Sequence, residues 1–149
     1  MKTLVVYDSQ YGDTEKLAQA LGKTIGGDVK TLRVSAVNPE DINGIDFLVI
    51  GSPTQGGRAT PAMLEFLKKV PDSAIKDKKV AVFDTRMTSK MVGIFGYAAG
   101  KLADSLKKRG AVLISSAEGF FVTTGKGPLK EGELERAVNW AKILLNDGK

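Results

Sequence analysis

Short runs of branched apolar residues alternate along this chain with longer stretches whose apolar positions recur every three or four residues. Residues 3–8, with Leu4, Val5, Val6 and Tyr7, predict a first strand. Residues 13–25 predict a helix with Leu17, Ala18, Leu21 and Ile25 on one face, ended by Gly26-Gly27. Residues 29–34 predict a second strand, less apolar and therefore suited to a sheet edge, and 38–41 (Asn-Pro-Glu-Asp) a turn. Residues 47–51 are apolar throughout, the pattern of a strand covered on both faces. Thr60-Pro61 supplies a capping hydroxyl and a first-turn proline for a helix running to residue 69. A fourth strand is expected at 79–83. A helix is expected at 96–109, with Ala99, Leu102, Ala103 and Leu106 inward and Gly110 closing it. A fifth strand at 111–115 and a last helix at 131–146 follow, the helix presenting Leu134, Ala137, Val138, Ala141, Leu144 and Leu145 at helical spacing. The segment 117–129, glycine-rich with Phe120 and Phe121 to pack, reads as the crossover into that helix, with a substrate contact the alternative that no motif supports, and Trp140 as a packing or partly exposed residue.

Strands that alternate with helices pair in parallel through right-handed crossovers. The expected fold is therefore α/β: one domain, 1–149, built as three layers around a doubly wound five-stranded parallel sheet, with order 2-1-3-4-5 the natural candidate. A length of 149 residues suits a single core. No apolar run approaches the ~18 residues of a membrane span, and the apolar start at 3–7 is too short for a signal peptide. A cytoplasmic location is the expectation.

Composition narrows the chemistry. The chain has no cysteine and no histidine. Thiol redox chemistry, iron–sulfur ligation, histidine metal sites and Ser-His-Asp catalysis are therefore excluded. Redox chemistry would need a borrowed cofactor. The net charge of +5 reads either as a lysine-rich solvated surface or as attraction for an acidic redox partner or an anionic ligand. The basic residues are scattered without interleaved aromatics, so no nucleic-acid partner is expected.

Ligands of such sheets sit where the strand order reverses, at the carboxyl ends of the strands. After the first strand come Ser9-Gln10-Tyr11-Gly12-Asp13-Thr14, with two aliphatic hydroxyls, a phenol and a glycine at a helix start. Backbone N–H groups, hydroxyls and the helix N-terminus can together hold a phosphate without any lysine. After the third strand come Gly51-Ser52-Pro53-Thr54-Gln55-Gly56-Gly57-Arg58, and after the fourth Asp84-Thr85-Arg86-Met87, running on to Lys90, Phe95 and Tyr97.

The spacing Ser9-x-x-Gly12-x-Thr14 resembles the phosphate-binding fingerprint of the flavodoxin family, [ST]-x-T-G-x-T, and Pro53-Thr54 resembles the start of its second flavin loop. Tyr11 stands in the third position of the fingerprint, as in flavodoxin-like quinone reductases and flavodiiron proteins. The resemblance covers essentially the whole chain and is to the short-chain type. It implies FMN as cofactor, held by Ser9, Gln10, Tyr11, Gly12, Asp13, Thr14, Pro53, Thr54, Gln55, Gly56, Gly57, Thr85, Arg86, Met87 and Tyr97. It also implies one-electron transfer between redox protein partners by a monomer or weak dimer, with no catalytic residue of its own. A peptide at Gly56 or Gly57 is expected to turn its carbonyl toward the proton on ring nitrogen five of the reduced flavin, a rearrangement glycine tolerates. The second loop offers Gln55 where many relatives stack an aromatic, leaving Tyr97, Phe95 and Met87 as stacking candidates. Arg86 and Lys90 would bring positive charge to the ring edge, worth roughly 3 kcal/mol at ~6 Å with an effective dielectric near 20. The fully reduced flavin is then expected to be easier to reach than in acidic flavodoxins. The alternative is an FMN oxidoreductase of the same fold, a quinone reductase or a protoporphyrinogen-oxidase-like enzyme, in which Arg58, Arg86 and Lys90 would suit an anionic substrate. A response regulator is excluded, because Val49-Ile50-Gly51-Ser52 ends the third strand without a carboxylate.

Overall fold

The computed structural model describes residues 1–87 and 97–147. Five strand positions carry the sheet: β1 (Lys2–Tyr7), β2 (Asp28–Arg33), β3 (Phe47–Pro53), β4 (Lys79–Arg86) and a fifth position split into β5 (Val112–Leu113) and β6 (Glu118–Phe121). The order is β2-β1-β3-β4-β5, with β6 also on β4, and every pairing is parallel. The expected doubly wound order is thus the observed one. The helices are α1 (Asp13–Ile25), α2 (Pro61–Lys69), α3 (Asp72–Ile75), α4 (Ala98–Lys108) and α5 (Glu133–Asp147). Residues 34–36 and 39–44 are short 3-10 turns, the second replacing the simple turn expected at 38–41. Among the described residues no helix is long and apolar enough to cross a membrane.

Alternation along the strands splits the core in two. Leu4, Val6, Leu48, Ile50, Val80 and Val82 face α2 and α4, where Met63, Phe66, Leu67, Leu102 and Leu106 meet them. Val5, Tyr7, Phe47, Val49, Ala81 and Phe83 face α1 and α5, against Leu17, Leu21, Trp140 and Leu144. Of the inner face expected for the last helix, Leu134 is exposed and lies outside that core. Trp140 is buried, its indole N–H donates to Ser115 Oγ at 3.1 Å, and it stands edge-on to Phe83 and Phe120 with ring centroids 6.2 and 6.0 Å away. Such edge-to-face pairs add about 0.5–1.5 kcal/mol each beyond their buried area.

Two strands run further than their apolar letters suggest. β3 continues through Ser52 and Pro53 because Asp84 and Thr85 of β4 pair with them. Ser52 Oγ is also satisfied locally, accepting from Thr60 N–H at 3.1 Å. The segment Glu118–Phe121, expected as crossover, is a strand: it pairs with 83–86 and buries Phe120. The chain leaves the sheet after Leu113 and rejoins it at Glu118, so one strand reads as two fragments. The helix expected from residue 96 begins at Ala98, and Gly96 lies outside the described residues.

Gly51 sits at a close approach between neighbouring strands, where the ring of its β4 partner Phe83 lies over it. A Cβ there would stand 2.1 Å from Phe83 Cζ. Gly51→Ala is expected to push the Phe83 ring out of its edge-on packing and cost about 1–3 kcal/mol, measured by urea unfolding, as overpacking of a tight core does. An unchanged midpoint would mean the ring yields freely.

Candidate functional site: a three-loop cavity at the strand ends

Parallel pairing brings the ends of β1, β3 and β4 to one edge at matched height: Tyr7 pairs with Gly51, Gly51 with Phe83 and Pro53 with Thr85. The three following loops converge on a cavity of about 340 Å³. Its walls include Ser9, Gln10, Tyr11, Asp13 and Thr14 from the first loop, and Pro53, Thr54, Gln55, Gly56 and Gly57 from the second. Thr85, Arg86 and Met87 come from the third. The loops read from the sequence as one site are therefore brought together.

The first loop is built to leave donors unused. Gly12, with φ of 95°, ends it at the N-cap of α1, its N–H donating to Ser9 Oγ at 3.1 Å. No side chain caps α1, whereas Thr60 caps α2 by accepting from Met63 N–H. The first-turn N–H groups of a helix have no intrahelical partner, so α1 offers them, with its partial positive charge, to an anion. Thr14 Oγ1 lies 3.0 Å from Thr85 Oγ1, fixing a hydroxyl at the floor. Asp8 anchors the loop from behind: its carboxylate accepts from Ser9 N–H at 2.9 Å and from the Thr60 hydroxyl at 2.5 Å, and Arg33 stands 3.5 Å away.

The second loop is a tight reversal. Gln55 and Arg58 exchange backbone hydrogen bonds, 2.8 and 3.1 Å, across Gly56 and Gly57, whose φ values are 57° and 79°. Two consecutive positive φ angles define a mirror-image turn that glycine adopts without strain. Gln55 Nε2 also donates to Gln10 Oε1 at 2.5 Å, joining the first and second loops at the cavity mouth.

The third loop differs from its reading. Arg86 lines the cavity, but its guanidinium is paired with Asp84, Nε to Oδ1 at 2.7 Å and Nη2 to Oδ2 at 2.8 Å. Asp84 is fully buried and also accepts from Ala99 N–H at the start of α4. The expectation that Arg86 brings net positive charge to the ring edge is corrected, since the buried carboxylate compensates it. Tyr97 is not part of the cavity lining. Its ring is covered by the Arg86 guanidinium, 3.5 Å from the ring centroid. Met87 is 41% exposed and does line the cavity. Lys90 and Phe95 lie outside the described residues.

A fourth wall was not legible. Val122 and Gly125 line the cavity from a hairpin in which Val122 bridges Leu129. That hairpin hangs from β6, and β6 is clamped to α5 by charge. Glu133 accepts from Phe121 N–H at 2.7 Å and from Arg136, while Arg136 donates to Glu118 at 2.5 Å and to the Gly119 carbonyl. The Arg136 hydrogen bond holds Glu133 below its ordinary value of 4.5, against the opposing effect of burial. A depressed folded value means the clamp contributes stability above about pH 4.5 and loses it as pH falls through the folded value. Glu133→Gln is expected to lower the melting temperature at neutral pH, with the two melting curves converging in acid. A gap that persists to low pH would show that ionic pairing is not what Glu133 contributes.

The family profile described as Flavodoxin domain matches residues 4–119. The flavodoxin of Haemophilus influenzae is 28% identical over 160 residues, covering 95% of this chain and 92% of that protein. The flavodoxin of Clostridium beijerinckii is 31% identical over 110 residues, covering 70% and 72%. Among solved structures, a flavodoxin from the domain Archaea superposes with a TM-score of 0.80 at 19% identity over 99% of both chains. The two-electron reduced flavodoxin of Megasphaera elsdenii superposes with a TM-score of 0.73 at 21% identity, over 93% of this chain and 97% of that one. The family match and these relatives define an FMN-binding electron-transfer protein, of the doubly wound α/β class. The chain belongs to the flavodoxin family.

Proposed function

We propose that the chain holds the FMN phosphate on the first loop and the ring between the Gly56-Gly57 turn and Met87, and shuttles single electrons between separate redox proteins. The observation that carries this reading is the uncapped start of α1 beside the Ser9 and Thr14 hydroxyls. Bound FMN supplies the electron storage. The chain's own groups do the rest. Ser9, Thr14 and the first-turn N–H groups bind the phosphate, and Gln10, Tyr11, Asp13, Pro53, Thr54 and Gln55 wall the cofactor in. A peptide at Gly56 or Gly57 would offer its carbonyl to the proton on the reduced ring, and Thr85, Val122 and Gly125 would help exclude water from the cofactor. Acidic partners are favoured by the net charge of +5, which would steer them in a salt-dependent way.

The test is steady-state NAD(P)H oxidation by the FMN-loaded protein with cytochrome c or a quinone as terminal electron acceptor, alone and with a flavodoxin reductase added, against a control with reductase only. A carrier is inert alone and turns over with the reductase. Turnover alone would replace the carrier by the oxidoreductase reading.

A further inference from the structure

Asp13 is the first residue of α1 and only 8% exposed, and it shares the cavity wall with Ser9 and Thr14. Its neighbour Asp8 is engaged by Ser9, Thr60 and Arg33. Among the described residues nothing hydrogen-bonds to or pairs with the Asp13 carboxylate. No fully buried side-chain oxygen is left without a partner there either, so the Asp13 oxygens keep contact with solvent through the cavity. They are also backed by the hairpin: a Cβ on Gly127 would stand 2.2 Å from Asp13 Oδ2. The carboxylate therefore lies packed against Gly127, on the wall of the cavity that Ser9 and Thr14 also line.

A negative charge in the first turn of a helix is favourable while the loop is empty, because it complements the helix dipole. It is unfavourable once a phosphate dianion occupies the same end, since like charges at this range repel strongly when partly shielded from water. We infer that Asp13 sets the phosphate affinity of this site: it acts as a built-in competing anion that stabilises the empty loop and weakens its hold on the phosphate. The inference rests on the FMN reading above. It assigns the chain a readily exchanged cofactor and a reduced preference for the phosphorylated flavin over one lacking the phosphate.

The experiment compares FMN and riboflavin titrations of apoprotein with Asp or Asn at position 13, at low and high salt. Asp13→Asn is expected to tighten FMN about tenfold or more at low salt, with a smaller gain at high salt. Riboflavin affinity should stay within about twofold, because it lacks the phosphate. The melting temperature of the apoprotein should fall by roughly 1–4 °C as the dipole contact is lost. Unchanged or weaker FMN binding would overturn the inference, as would equal tightening of both flavins. If Asp13→Asn does not fold, Asp13→Ser carries the same comparison. A wild-type chain that binds neither flavin would instead defeat the flavin reading, and this inference with it.

Discussion

Asp84→Ala should destabilise the protein by about 3–5 kcal/mol, the usual cost of removing one partner from a buried ion pair. Asp84 is wholly inaccessible, and three donors converge on it: Arg86 Nε, Arg86 Nη2 and Ala99 N–H. Without it the guanidinium keeps its charge on a residue packed between the Tyr97 ring and Gly119, where a Cβ would stand 2.2 Å from Arg86 Cζ. The start of α4 loses its acceptor in the same step. The change is read by urea unfolding, and near-ultraviolet dichroism should report the freed Tyr97. Replacing Asp84 and Arg86 together by apolar residues should recover part of the loss, because no unpaired charge then remains. A cost under about 1 kcal/mol for Asp84→Ala would mean that water reaches the pair.

The second large effect falls on the cofactor. Thr14→Val keeps the shape of a fully buried residue but removes one hydroxyl from the loop floor. A hydrogen bond to a charged group contributes roughly 1.5–3 kcal/mol, so FMN affinity should fall about 10- to 100-fold. Riboflavin should be little affected. The Thr85 hydroxyl is left without its partner, so a modest loss of stability accompanies the change. Titration with the two flavins separates the effects: a loss shared equally by both would place Thr14 in the loop's architecture and not at the phosphate.

The layers and the site's position were legible because each helix and strand carries a clear period. The 3.6-residue spacing of Leu17, Ala18, Leu21 and Ile25 gave α1 its limits, and the continuous apolar run at 47–51 marked a central strand. The first loop was legible as one wall of the cavity because its residues are contiguous. What stayed hidden is long-range or split. β6 has four residues, and its reason to be a strand is its partner β4. The wall formed by Val122 and Gly125 depends on that pairing, and no local motif announces it. Arg86 was read by its charge alone, because nothing in the sequence says that Asp84, two positions earlier, turns to pair with it inside the core. Tyr97 was likewise read by its ring alone, and no local motif announces the guanidinium from β4 that lies over it.

The most direct measurement is the absorption spectrum of the FMN-loaded protein during stepwise anaerobic reduction. Stoichiometric FMN binding is expected, with accumulation of the one-electron-reduced flavin, seen as new long-wavelength absorbance before the flavin bleaches, because the Gly56-Gly57 turn can offer a carbonyl to ring nitrogen five. Failure to bind FMN, or bleaching in a single two-electron step, would contradict it.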